Sequence, residues 1–192
     1  MSGVGGQGRA IGPGNAEGSS SASIDRLVSR AAGAQLAGRA DEALAMLAEA
    51  LRLDPNHASA LTFGALLALR SARPHEALDY ARRAVAADPR RARAHHLLGL
   101  ALQATGRGAE GLTSLRQAVA LDEGLSDARL DLGNALLEEG DIAGARAQIE
   151  TVLAAEPGSA IGYNSLGNLR AREKQFDAAI LAYRKAIELD PG

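Results

Sequence analysis

Four of the six prolines in this 192-residue chain, Pro55, Pro89, Pro157 and Pro191, stand on a comb with teeth 34 residues apart, and Glu123 occupies the remaining tooth. An acid precedes every tooth: Asp54, Asp88, Asp122, Glu156 and Asp190. A fixed period of this length constrains the fold strongly. A single unit of such a chain cannot bury its apolar face alone, so like units must stack. Counting back from the comb gives units 24–57, 58–91, 92–125, 126–159 and 160–192. The eighth residue of each is small (Ala31, Ala65, Gly99, Gly133, Gly167), and so is the twentieth (Ala43, Ala77, Gly111, Ala145, Ala179). Ala and Gly, 42 and 22 residues, make up a third of the chain. Even so, composition alone would fill all these positions with a probability of only about 2 × 10⁻⁵. The twenty-seventh positions are Ala50, Ala84, Ala118, Val152 and Ala186.

Each unit reads as two helices. The first covers roughly fourteen residues, and in three units a glycine stops it (Gly38, Gly106, Gly140), because glycine accepts the left-handed C′ conformation at little cost. The second helix often opens with acids, Asp41 and Glu42, Glu76 or Asp177, which suit the positive end of the helix dipole. It ends at the acid–proline pair, since proline cannot continue a helix and biases its predecessor away from α. Ala43, Leu44, Leu47, Ala50 and Leu51 form an apolar face at helical spacing, and Ala179, Ile180, Tyr183, Ala186 and Ile187 repeat it. Residues 1–23 hold seven glycines and five serines with little to bury, and are expected to be a flexible tail.

Stretches such as "LGNALLEEGDIAGARAQIETVLAAEPG" and "YNSLGNLRAREKQFDAAILAYRKAIELDPG" resemble tetratricopeptide repeats. The fifth unit carries the family's marks at Tyr163, Leu166–Gly167, Ala179, Tyr183, Ala186 and Pro191; units 3 and 4 keep Leu98–Gly99 and Leu132–Gly133. Unit 1 departs most, with Arg30–Ala31 and Ala34, and a loosely packed first helix is expected there. The resemblance covers 24–192 without an insertion. It implies an all-α, right-handed α-solenoid of five 34-residue helix-turn-helix repeats, with a concave face lined by the first helix of each unit.

The resemblance also implies where a partner would lie. Carried onto this chain, the concave positions are Ser59, Thr62, Leu66 and Leu69; Arg93, His96, Leu100 and Gln103; Asp127, Leu130, Asn134 and Leu137; and Ile161, Asn164, Asn168 and Ala171. An asparagine side chain both donates and accepts, so Asn134, Asn164 and Asn168 are the candidate contacts for an extended peptide backbone. Some family members clamp chaperone-tail carboxylates with Lys or Arg beside such asparagines. Here those basic neighbours are mostly absent, which disfavours that ligand.

Other constellations have plainer readings. Gly3, Gly5 and Gly8 match a dinucleotide fingerprint in spacing, but a Gly/Ser-rich terminus lacks the strand and helix start the chemistry needs. His95 and His96 are adjacent on a helix and diverge by about 100°, and His57 and His75 fall near turns, so no metal site is expected. Arg82, Arg83, Arg90, Arg91 and Arg93 cluster at one junction, but Asp79 and Asp88 sit among them and no aromatic is interleaved to stack bases. The absence of cysteine removes thiol chemistry and disulfides. Net charge is −2, no apolar run approaches the roughly 18 residues needed to span a bilayer, and no secretory signal is evident. No catalytic residues and no cofactor are expected.

The expected function is therefore a non-catalytic adaptor or scaffold, cytoplasmic, that binds a protein or extended peptide and neither nucleic acid nor membrane. The alternative is the N-terminal repeat module of a larger enzyme, such as a glycosyltransferase of the O-GlcNAc-transferase type or a sulfotransferase. Asp190–Pro191–Gly192 falls where a sixth unit or capping helix would begin, so weak self-association through an uncapped C-terminal repeat is also expected.

Overall fold

The computed structural model describes residues 14–191. Among them are ten α-helices and no strand: α1 (Gly14–Leu36), α2 (Ala40–Leu53), α3 (Ala58–Arg70), α4 (Pro74–Ala87), α5 (Ala92–Ala104), α6 (Gly108–Leu121), α7 (Ser126–Glu139), α8 (Ile142–Ala155), α9 (Ala160–Arg172) and α10 (Phe176–Leu189). The helices keep the comb's register. The even helices begin at 40, 74, 108, 142 and 176, and the odd ones after α1 at 58, 92, 126 and 160, each 34 residues after the last.

The turns explain this regularity. Each odd helix ends with the same pair of backbone hydrogen bonds. In the first unit Gly38 N–H donates to Gln35 O at 3.1 Å and Arg39 N–H to Ala34 O at 2.9 Å. This is the Schellman arrangement, in which the residue after the helix adopts the left-handed conformation. The left-handed residues are Gly38, Ala72, Gly106, Gly140 and Lys174, with φ of 73°, 53°, 78°, 85° and 61°. Three are the glycines expected from the sequence; Ala72 and Lys174 adopt the same conformation without being glycine. The even helices end on the comb's acids, which are all C-caps. Three of them also accept a hydrogen bond from the N–H two residues on: Asp54 from Asn56 at 2.9 Å, Asp88 from Arg90 at 3.1 Å and Asp122 from Gly124 at 2.9 Å. The acid thus stops one helix and folds the turn into the next.

The pairs stack with the odd helices inward. Successive odd helices touch one another (α1–α3, α3–α5, α5–α7, α7–α9), whereas among the described residues no two even helices do. A stack crowded on one side is curved toward that side, so the odd helices line the inner face.

The small residues at the eighth and twentieth positions are buried in every unit, where the two helices of a pair approach. At Gly99 and Gly111 backbone meets backbone. A Cβ on either would come within 3.1 Å and 2.9 Å, respectively, of the other's carbonyl oxygen. Leucine, isoleucine and tyrosine side chains fill the layers between pairs, in clusters that run along the stack.

Two expectations change. Residues 14–23, read from the sequence as tail, belong to α1. Nucleating a helix is costly and extending one is cheap, and α1 is anchored where Ile24, Ala31 and Ala34 are buried. Ser21 also reaches His57 Nε2 at 3.2 Å. The same burial shows that the first helix is well packed despite its departure from the repeat pattern. Residues 1–13, with Gly3, Gly5 and Gly8, lie outside the described residues.

Candidate functional site

The inner face is crossed by a ladder of polar contacts between neighbouring odd helices. Arg93 on α5 pairs with Asp127 on α7 at 3.1 Å. One turn further along, His96 Nε2 meets Asp131 Oδ2 at 2.6 Å. Between α7 and α9, Asn134 Nδ2 donates to Ser165 Oγ at 3.2 Å. Glu173, after α9, bridges Arg146 of α8 and Arg170 of α9 and is itself nearly buried. Three rungs join positions 31 to 35 residues apart. The repeat therefore brings like positions of successive units into contact.

Two open depressions lie on this face. One, of roughly 260 Å³, sits between α7 and α9 and is lined by Asn134, Leu137, Glu138, Asn168, Ala171, Arg172 and Tyr183. Asn134 Oδ1 is buried here with no hydrogen-bond partner. Asn168 Oδ1 accepts from the Tyr183 hydroxyl at 2.8 Å, which leaves its amide N–H groups as the free donors. Tyr183 is held by its ring lying against Gly167, where any Cβ would collide with it. The other depression, of roughly 220 Å³, is more apolar. Val28, Ser59, Thr62, Phe63, Leu66 and Leu97 line it, with Arg91 and Arg93 at its edge.

The residues named from the sequence thus divide. Asn134, Leu137 and Asn168 meet in the first depression, and Thr62, Leu66 and Arg93 in the second. Asn164 is exposed on α9. Leu69 and Leu100 are half-buried among the leucines between pairs. Four positions correct the expectation: Leu137, although it borders the first depression, is 3% exposed and packed in the same core cluster as Leu130. Leu130, 2% exposed, is packed in the core and offers no surface. His96 is 3% exposed and turned onto Asp131. The Gln103 side chain lies against Gly111 of α6, where glycine leaves it room. Arg172, Glu138 and Asp131 were not anticipated. They fall one residue beyond the positions carried over from the family, and only the contact between units gives them a role.

Charge on the face is balanced. Arg93 faces Asp127, and Glu138 and Arg172 share a depression. In the arginine cluster, Arg83 pairs with Asp79, and Arg91 with Asp88. Among the described residues, no helix is long and apolar enough to cross a membrane.

Helix pairs in constant register, curved around an inner face with an asparagine-lined depression, define a helical-repeat solenoid. The family model that matches the chain's C-terminal third and its structural neighbours are those of tetratricopeptide-repeat proteins. The tetratricopeptide repeat profile matches residues 130–192, and that of the bacterial transcriptional activator domain matches 52–126. Among solved structures, the chain is similar to TTC0263, a thermophilic TPR protein of Thermus thermophilus. The TM-score is 0.75 at 23% identity, over 88% of this chain and 92% of that one. It is also similar to YrrB, described as a TPR protein with an unusual peptide-binding site, with a TM-score of 0.63 at 26% identity, over 86% and 85%. A third similarity is to a Thermobaculum terrenum O-GlcNAc transferase, with a TM-score of 0.65 at 29% identity, over 71% of this chain but 26% of that one. No curated protein sequence matches the chain.

Proposed function

We propose that this protein is a cytoplasmic adaptor that binds an extended segment of another protein along its inner face, with the Asn134–Asn168 depression gripping the peptide backbone. The supporting observation is the unpartnered, buried Asn134 Oδ1. A buried acceptor without a donor costs about 1–3 kcal/mol, and a ligand N–H would remove that penalty. Beside it, Asn168 keeps its donors free because Tyr183 occupies its oxygen. An acceptor and a donor side by side match the alternating N–H and C=O of an extended chain. Arg172 and Glu138 stand in the same depression to select charged side chains. The peptide-binding site in the printed description of YrrB supports the same reading. Flexible peptides lose entropy on ordering, so affinity is expected near micromolar, about −8 kcal/mol.

The test is to select binders from a displayed random-peptide library and measure them by calorimetry. Replacing Asn134 and Asn168 together with Ala should weaken the selected peptides about tenfold or more, roughly 1.4 kcal/mol. Asn134→Ala alone should leave stability nearly unchanged, because loss of the hydrogen bond to Ser165 Oγ is offset by removal of a buried acceptor that has no partner in the free protein. Selected peptides that bind the double variant as tightly as the parent would refute the assignment.

The likeness to part of an O-GlcNAc transferase supports a second reading, in which the same face presents protein substrates to a catalytic domain. The gene sequence beyond codon 192 distinguishes the two: an open frame into a transferase domain favours the second.

A further inference from the structure

The α10 helix carries an apolar stripe that no described residue covers. Phe176, Ile180 and Ile187 are 64%, 48% and 65% exposed. At about 100° per residue they lie within about 40° of one another on the helix. The repeat shows what this face does elsewhere. Leu78 and Leu112, the counterparts of Ile180 in α4 and α6, are each 8% exposed and cluster with apolar residues of α5 and α7. The counterparts of Ile187 are Leu51, Val85, Val119 and Leu153, all partly buried against core clusters that include residues of the following unit or, for Leu153, against Gly162 of α9. The stripe on α10 is thus built to receive a helix.

The charges beside it say which helix. Asp177 and Arg184 are exposed, sit on one flank of the stripe two turns apart, and neither has an ion-pair partner among the described residues, whereas Lys185 is already paired with Glu188 at 3.2 Å. Two copies of α10 packed antiparallel about a two-fold axis would satisfy both ends at once. Phe176 would lie opposite the partner's Ile187, and Ile180 opposite the partner's Tyr183. On the same flank Asp177 would reach the partner's Arg184, and symmetry repeats the pair. A two-fold interface must be self-complementary in this way.

We infer that α10 is a homodimer contact, in which a second copy of this chain packs antiparallel along the Phe176–Ile180–Ile187 stripe, its register set by two reciprocal Asp177–Arg184 ion pairs. The stripe is short, so the dimer is weak and concentration-dependent, as expected of interfaces below about 1,200 Å². The inference is independent of peptide binding on the inner face.

Sedimentation velocity on the full chain tests it, with thermal circular dichroism to show that these surface variants stay folded. A monomer–dimer equilibrium is expected at concentrations up to about 1 mM. Ile180→Asp, beside the axis, should weaken it by about tenfold or more. Asp177→Arg and Arg184→Asp each oppose like charges and should each weaken it several-fold. The double variant carrying both exchanges should return to within about threefold of the parent, because the reciprocal pairs re-form with their signs reversed. A parent that is monomeric at every concentration would overturn the inference. So would an unaltered dimer in Ile180→Asp, and so would a double variant as weak as the single ones, which would mean that a different helix or register occupies the stripe.

Discussion

Ala72 and Lys174 hold the left-handed conformation that Gly38, Gly106 and Gly140 hold in the other three units. An L-residue there costs roughly 1–2 kcal/mol because its Cβ crowds the backbone. Replacing it with glycine removes that cost but gives the unfolded chain more freedom, which takes back about 0.4–1 kcal/mol. The net gain is about 0.5–1 kcal/mol per site. Little offsets it: both side chains are exposed, and neither makes a side-chain hydrogen bond or ion pair in the structure. The backbone bonds of the turn, Ala72 N–H to Leu69 O and Lys174 N–H to Ala171 O, both at 3.0 Å, survive the change. The sites lie in different units, so their effects should add. Ala72→Gly with Lys174→Gly is therefore expected to stabilise by about 1–2 kcal/mol, a rise in Tm of about 2–8 °C for a chain of this size. Urea denaturation followed by circular dichroism reads the change. The reverse exchange, Gly106→Ala, should cost a similar amount. The reasoning fails if both glycine variants are neutral or destabilised while Gly106→Ala is also neutral. The turn would then not depend on its left-handed residue.

Gly133→Leu and Ala145→Leu should each cost about 1–3 kcal/mol or more, since a Cβ at Gly133 already comes within 3.0 Å of Ile149 and Ala145 is fully buried; unchanged denaturation midpoints would refute the helix-pair packing. Asp131→Ala leaves the buried His96 without its 2.6 Å partner and should cost about 1–3 kcal/mol, which an unaltered urea midpoint would contradict. The Arg107 guanidinium, hydrogen-bonded to Glu110, holds that carboxyl below the usual carboxylate range. A depressed folded pKa contributes stability above the unfolded value, and this is lost as pH falls through the folded one. In Arg107→Gln an NMR titration should find Glu110 back in the usual range, and a titration identical to the parent's would rule out the pairing as the cause.

The period was legible because its signals are local. Proline, the acid before it and the small residues at pair contacts each obey steric rules that act within a few residues, and together they gave the 34-residue spacing that the helices keep. The left-handed turns at Ala72 and Lys174 were not legible, because the surrounding helices impose a conformation those residues do not themselves prefer. The start of α1 was missed for a related reason. The composition of residues 14–23 argues against a buried segment, whereas the helix there extends from an anchor at Ile24. On the inner face, position in the repeat placed Asn134 and Asn168, which line one depression, but could not tell that Leu130 and His96 are covered. Burial there depends on how far the next odd helix leans across, which no single unit encodes. The free Oδ1 of Asn134 likewise depends on how α7 and α9 pack, where Ser165 takes up its amide N–H.

The facing glycines of α5 and α6 also have a mechanical consequence. Where Gly99 meets Gly111 the two backbones touch with no side chain between them, so neither helix can slide along its neighbour without driving a carbonyl into a Cα. Leu115 closes over Gly99 and Gln103 over Gly111, so the side chains beside the contact fill the space that each glycine leaves. The middle of the spring is therefore a rigid joint, and elastic changes in its curvature must be taken up on either side of it, where the two depressions lie.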